Sequence, residues 1–366
     1  MPGAHVIAKP VTATAPASEW GAAPYRLTWL DDDVFAGTKA LAFTPGALVV
    51  AGGRAPLEAR ALDTGTTVWS VETPAESLLV VDSRLLVATV STRVLGLDAT
   101  TGRTLWTSES GLAAFPPAAR AQTVVAAAGS TVRAFRAADG APLWQQELSS
   151  AVVLAPSLSD TRAVVVLEDR SLAGLDLTTG AVAWRAQMDV VPTTLTAATD
   201  RAFVTTDTGS LCALRYASPK IDWCWPVGIP SAGAPDVDGN NVFVAYLDNA
   251  VRVFDQKNGK MRAASALPAR PAARGRLAGD AFAVPLFDGG AAFANGTPPF
   301  AVSRLVTVDK TLQPNLAGAA ISDDGEHLAL LTGSPGGRTL AVLARVKDSG
   351  GSLPGLMVPA PASRTP

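Results

Sequence analysis

Six tryptophans stand almost evenly along the chain. Trp29, Trp69, Trp106, Trp144, Trp184 and Trp223 recur with a period of roughly 40 residues, in a sequence with only eight tryptophans. A constant period of this length marks a structural repeat, and a repeat constrains the fold more than any local propensity does. The phrase around the tryptophans recurs as ALDTGTTVW (61–69), GLDATTGRTLW (96–106), AFRAADGAPLW (134–144) and GLDLTTGAVAW (174–184). Degenerate copies follow at ALRYASPKIDW (213–223) and VFDQKNGKMRA (253–263), where Ala263 takes the tryptophan slot.

Each phrase reads as a β-hairpin. An alternating apolar strand runs into Asp63, Asp98, Asp176 or Asp255. A short turn follows with Gly65, Gly102, Gly140, Gly180 or Gly259, and an outgoing strand carries the tryptophan. Glycine supplies the positive φ that the turn demands, and an aspartate carboxylate accepts hydrogen bonds from turn amides. Trp69, Trp106, Trp144, Trp184 and Trp223 offer a large apolar face suited to packing one sheet on the next. Upstream of each hairpin lies a second strand pair, as in 156–176 and 235–255. The unit is four short antiparallel strands in about 40 residues, with no helical periodicity. Such units build the blades of an all-β propeller. Helical repeats and parallel sheets with crossover helices are excluded.

Length alone would suggest two domains, but the repeat leaves no place to divide the chain. We read residues 25–346 as one propeller domain, flanked by a flexible N-terminal segment (1–24) and a flexible tail (347–366) rich in Gly, Ser, Pro and Ala. The stretch from position 20 to position 346, spread over eight blades, gives about 41 each, near the tryptophan spacing; seven blades would need about 47. Residues 318–346 supply two hairpins and three strands, and the missing fourth strand is assigned to YRLTWL (25–30). Trp29 supports this closure, standing one full period before Trp69 with no complete blade ahead of it. Joining both termini in one blade removes the exposed sheet edges of an open ring.

The phrase Asp-x-x-Thr-Gly-x-x-x-Trp, cleanest at Asp98, Thr101, Gly102 and Trp106 and at Asp176, Thr179, Gly180 and Trp184, resembles the repeat of pyrroloquinoline-quinone-type propellers. The likeness covers roughly residues 25–265 and fades beyond. Quinoprotein dehydrogenases and non-catalytic scaffolds share this repeat, and the overall look is similar to the BamB-like, eight-bladed propellers of outer-membrane assembly. A dehydrogenase of the resembled kind would be longer and would place adjacent cysteines, two carboxylates and calcium at its quinone. The two cysteines here, Cys212 and Cys224, are far from adjacent, and no such constellation can be placed, so no cofactor is expected.

Other motifs are read beside their plainer alternatives. The repeated aspartates suggest calcium, but Asp139 lies directly beside its glycine and the Asp63 hairpin is shortened, so turn capping fits better. Residues 236–241 resemble the start of an EF-hand loop, yet Leu247 stands where its glutamate should be. Asp31, Asp32 and Asp33 read as a solvated loop before a metal site. His327 precedes an apolar strand, and no G-x-S-x-G elbow or phosphate loop occurs. No catalytic, cofactor-binding or metal residue is assigned. The segment 260–276 carries Lys260, Arg262, Arg270, Arg274 and Arg276 with no acidic residue. It is either a docking loop for an acidic partner or phospholipid headgroups, or an exposed inter-blade connection.

Cys212 and Cys224 flank the turn Ala217–Lys220. The register of the other repeats puts them one position out of opposition, on opposite faces; the irregular turn leaves this register free to differ. A disulfide and two buried free thiols both stand as readings.

A 48% hydrophobic chain with 17% charged residues and mean hydropathy +0.23 is not intrinsically disordered. A net charge of −2 argues against a nucleic-acid partner. No run approaches the roughly 18 to 20 apolar residues of a membrane span. The opening MPGAHVIAKPVTATAPASEW lacks a secretory pattern, so either the chain works in the cytoplasm or a leader has been removed. The expectation is a non-catalytic scaffold or accessory subunit of a bacterial cell-envelope complex, periplasmic or extracellular, binding other proteins with peripheral membrane association. A quinone-dependent oxidoreductase and a ligand-sensing cytosolic module are the alternatives.

Overall fold

The computed structural model describes residues 21–22, 25–34, 37–38, 40–52, 56–109, 111, 115–296, 298, 300, 302–305, 316–334 and 337–346. Among these residues there is no helix, and the strands form eight separate sheets. Seven blades follow one another at 40–71, 77–109, 118–147, 157–187, 192–226, 236–266 and 276–305, each an antiparallel meander of four strands, here lettered A to D. The eighth takes strands A to C from Leu316–Ile321, His327–Ser334 and Gly337–Arg345, and its strand D from Tyr25–Val34. The protein is an eight-bladed β-propeller closed by its N-terminal strand. The expected tail at 347–366 and most of segment 1–24 lie outside the described residues. Gly21–Ala22 are the exception: they form a fifth strand on blade 7, parallel to Val302–Leu305, where a flexible segment was expected.

The A strands of neighbouring blades touch one another, as Ala40–Thr44 does Ser77–Val80 on one side and Leu316–Ile321 on the other, so they surround the ring axis. D strands are the outer edges. Leu85–Val90, an inner strand, is buried along its whole length, whereas Thr104–Glu109 buries little beyond Trp106. A strand covered on both faces reads as a continuous apolar run rather than an alternating one, and AVVV and NVFVAY obey that rule. Among the described residues the apolar core is divided into eight clusters, and each draws its side chains from two adjacent blades. The core therefore lies in the seams and not inside any blade.

The tryptophans close these seams from the outside. Each one lies on the turn glycine of the following blade: Trp29 on Gly65, Trp69 on Gly102, Trp106 on Gly140, Trp144 on Gly180 and Trp223 on Gly259. Gly102 has φ +71°, and a Cβ there would stand 2.5 Å from Trp69 Cε3, so both the backbone and the close approach require glycine. The indole N–H then donates to a carbonyl of the same turn, Trp69 to Ala99 at 3.2 Å, Trp106 to Ala137 at 2.9 Å and Trp144 to Leu177 at 2.9 Å. Burying one such ring removes about 150–250 Å² from water, or on the order of 4–6 kcal/mol before ordering entropy is subtracted.

Three seams depart from the pattern. At the seam of blades 4 and 5 the turn lacks glycine; Trp184 stacks on Tyr216 (5.5 Å between centroids), and its buried Nε1 has no acceptor. At the seam of blades 6 and 7 Ala263 fills the tryptophan slot, and Phe300, from the turn of blade 7, is buried in that cluster instead. The closing seam has its own anchor. Tyr25 stacks on Phe293 of blade 7 at 4.8 Å and donates its hydroxyl to Gly325 O at 2.5 Å.

The register expectation for the cysteines is corrected. In blades 1 to 6 a β-bulge of one extra position directly precedes the tryptophan slot, for instance between the pairs Leu175↔Val182 and Gly174↔Trp184. The extra residue turns every later side chain of strand D to the other face. Cys212 therefore stands directly opposite Cys224, and the two are joined in a disulfide.

Two outcomes test this reading. In urea denaturation, Trp106→Phe should cost about 1–2 kcal/mol more than Trp184→Phe, because only the first leaves a buried carbonyl unpaired. Burial pushes the Tyr25 hydroxyl up to about 12. A raised folded-state value means that its contribution is complete below the unfolded tyrosine value, about 10, and is lost as pH rises through about 12. Tyr25→Phe should flatten the alkaline limb of the melting temperature against pH; an unchanged limb would show that Tyr25 ionisation contributes nothing to the alkaline loss of stability.

Candidate functional site

Antiparallel hairpins put the A–B and C–D turns of every blade on one face of the ring, and the B–C turns and D–A connections on the other. On the first face the A–B turns form an inner rim and the Thr-Gly turns an outer one. Both rims carry aspartates, and many of these pair with arginines of the same face, as Asp160 does with Arg120, Asp139 with Arg136, Asp176 with Arg162 and Asp280 with Arg345. The inner turns carry Asp82, Asp160, Asp200, Asp238, Asp280 and the pair Asp323–Asp324, and the outer turns carry Asp63, Asp98, Asp139, Asp176 and Asp255.

These carboxylates have defined work. Asp98 accepts the Thr100 and Thr101 amides and the Thr101 hydroxyl at 2.9–3.0 Å, and Asp176 repeats the arrangement with Thr178 and Thr179. The Thr101 hydroxyl and amide hold Asp98 below the usual carboxylate range, and the Thr179 amide does the same for Asp176. Asp255 is lowered first by Arg262, Asp200 by Arg201 and Asp280 by Arg345. Near neutral pH they are fixed negative charges, not proton donors.

Among the described residues, two clefts open on this face. One, of about 430 Å³, lies where blades 8, 1 and 2 meet, between Phe43, Leu62, Val80, Asp82, Asp324 and His327. The other, of about 410 Å³, is lined by the A–B turns of blades 3 to 6, including Arg120, Asp160, Asp200 and Asp236. The first holds a serine, a histidine and carboxylates, but not in nucleophilic order. Ser322 Oγ donates to Asp324 and accepts the His327 backbone N–H at 2.9 Å, so the hydroxyl shapes the turn, and the imidazole faces Phe43. Among the described residues no three His, Cys, Asp or Glu side chains are grouped to hold a metal. Cys212 and Cys224 sit in strands C and D of blade 5, away from the axis. This donor set does not fit the quinone and calcium that the repeat serves in dehydrogenases.

The basic segment 260–276 is not brought together. Lys260 follows the outer turn of blade 6, and Arg262 binds Asp255 and Asn241. Arg270 lies on the opposite face over the exposed Phe287 ring at 5.7 Å. Arg274 and Arg276 lie at the inner strand of blade 7, 3.6 Å from Asp236 and 3.9 Å from Asp323. Asp31 pairs with Arg60 at 3.2 Å within strand D of blade 8, not in a loop; the side chains of Asp32 and Asp33 lie outside the described residues. Residues 236–241 form the A–B hairpin of blade 6, paired Asp238↔Asn241.

Sequence reasoning missed Arg201. Its side chain is 5% exposed, pairs with Asp200 and Asp222, and donates to Gln256 O at 2.7 Å in the next blade's turn. The signal was present, since Arg162 holds the same position of strand B one repeat earlier and binds Asp176.

Fold and turn chemistry together define a propeller of the quinoprotein-like repeat type. The family model described as outer membrane protein assembly factor BamB matches residues 15–114, 91–198 and 191–311, and the chain belongs to that family. No curated protein matches it by sequence. Among solved structures it is similar to BamB from Moraxella catarrhalis, with TM-score 0.63 and 16% identity over 87% of this chain and 99% of that one. The computationally designed Ika8 protein gives TM-score 0.69 at 14% identity, over 86% and 100% of the two chains. The C-terminal WD40 domain of Sif2 gives 0.68 at 12% identity, over 88% and 99%. At these identities the likeness shows the fold.

The turn carboxylates carry a pH test. A lowered folded-state value means stability present above the unfolded aspartate value, about 3.9, and lost as pH falls through the folded one. The double variant Asp98→Asn with Asp176→Asn should melt lower at neutral pH and lose less on acidification from about pH 5 to 2. A parallel downward shift of the whole curve would remove these groups from the acid limb.

Proposed function

We propose that the protein is a non-catalytic scaffold, an accessory subunit that binds other proteins in a bacterial cell-envelope complex of the outer-membrane assembly kind. The observation that carries this is the family match through residues 15–311. The ring itself supports it, because eight seams packed on both faces hold the turns of each blade rigidly, and rigid loops on a scaffold are where binding residues concentrate. The Cys212–Cys224 disulfide suits an oxidising compartment such as the periplasm. The turn face, with its two clefts, is the surface assigned to the partner. Fixed carboxylates and arginines there set a partner's orientation more than they add affinity.

Cross-linking in cells through Lys257 and Lys260, followed by mass spectrometry and fractionation, tests the reading. The expected result is a discrete envelope protein linked to this face, with the chain in the envelope fraction. Recovery of the monomer alone, or of a purely cytoplasmic chain, would overturn it. So would stoichiometric uptake of pyrroloquinoline quinone with calcium and oxidation of an alcohol, which is the result the enzymatic alternative requires.

A further inference from the structure

Blade 5 has an outer hairpin unlike the others. Arg215 stands where an aspartate caps the turn in blades 2, 4 and 6, and no glycine follows. Two register shifts occur in it instead of one. The neighbouring Trp184 meets Tyr216 by ring stacking alone, its Nε1 without an acceptor. The turn that should hold blade 4 thus lacks its carboxylate cap and its indole hydrogen bond. What it has is the disulfide, with the two Cα atoms 4.1 Å apart across the hairpin.

The two sulfurs do not have equal surroundings. Cys212 is 2% exposed and belongs to the seam cluster of blades 4 and 5, with Trp184, Val204, Leu214 and Tyr216. Cys224 is exposed on the outermost strand, between Trp223 and Trp225. In thiol–disulfide exchange the attacked sulfur must be reachable. Only one end of this bond is open to a thiolate, and the other end lies inside the contact that the hairpin makes with blade 4.

We propose that the Cys212–Cys224 bond is a thiol-exchange site, opened at Cys224 by a dithiol reductant, and that its state sets how firmly blade 5 grips blade 4. A thiolate of the dithiol attacks Cys224 Sγ, forming a mixed disulfide, while Cys212 leaves with the electron pair of the old bond and takes up a proton. The second thiol of the reductant then attacks the mixed disulfide, becomes the other half of an oxidised dithiol, and releases Cys224 as a thiol. Two electrons pass from the dithiol to the protein. A monothiol stalls at the mixed disulfide, where Cys212 directly opposite re-closes the bond. Once open, the hairpin keeps its backbone ladder and the Arg215–Asp222 ion pair but loses the covalent tie that holds Tyr216 under Trp184. Local opening of such a segment needs no unfolding of the ring.

The test uses the full chain in native buffer with dithiothreitol as the probe, followed by maleimide trapping and trypsin. The expected result is maleimide on Cys224 with Cys212 protected, and cleavage after Lys220 faster by roughly tenfold or more. Cleavage after Lys257, in the equivalent turn of blade 6, should keep its rate. Cys224→Ser should show the fast Lys220 cleavage without any dithiol, and reduction of the wild type reads the same effect should that variant fold poorly. A bond that opens only in denaturant, equal labelling of both cysteines, an unchanged Lys220 rate, or an equal rise at Lys257 would each overturn the proposal.

Discussion

The molecule depends on the contact between one blade's outer edge and the next blade, made in most seams by a tryptophan on the next blade's turn. A single four-stranded meander has two apolar faces and no means of covering either. Its interior exists only when a neighbour supplies the other half, which is why the eight buried clusters coincide with the eight seams. The ring adds one such seam per blade, and an open chain of blades would leave two faces bare. Closing the circle with Tyr25–Val34 is the condition under which all the faces are covered at once.

The turn chemistry follows from the same contact. The ring of Trp69 lies against Gly102 so closely that no side chain fits, and its N–H reaches the carbonyl of Ala99 in the same turn. An aspartate then holds the turn in shape. Where one member is missing, another aromatic does its work. Tyr216 receives Trp184, Phe300 fills the room beside Ala263, and Tyr25 with Phe293 anchors the closing seam. The seams are equivalent in what they bury but not in how they are tied, and blade 5 substitutes a covalent tie for a capped turn.

Stacking the aspartate turns side by side has an electrostatic consequence. Carboxylates that are required one by one to cap hairpins end up in two concentric rims on one face. Asp98 and Asp176 are held ionised by amides and hydroxyls, Asp200, Asp255 and Asp280 by arginines, so the face carries interleaved carboxylates and guanidiniums. The chain belongs to an assembly-factor family, and this face is the one we propose for a partner.

Much of this was legible in the chain. Period, alternation and turn residues act over a few neighbours, so the four-stranded unit, the count of eight and the assignment of Trp29 to the closing blade could be read directly. What could not be read depends on register or on distant partners. One bulged residue before each tryptophan reverses the facing of all that follows it, so the spacing of Cys212 and Cys224 alone pointed to opposite faces when the bulge makes them neighbours. The basic run 260–276 looks like one patch in sequence, yet it crosses a blade from outer rim to inner strand, and its charges separate. Arg201 could be matched to Arg162 by its place in the repeat, but its reach to Gln256 O in another blade's turn could not be read. The sequence by itself determined the repeat, the strands and the ring, since these rest on local sterics and hydrophobic periodicity. Only the tertiary structure decided which side chains meet across a seam, because that is set by the register of each hairpin and the placing of one blade against the next.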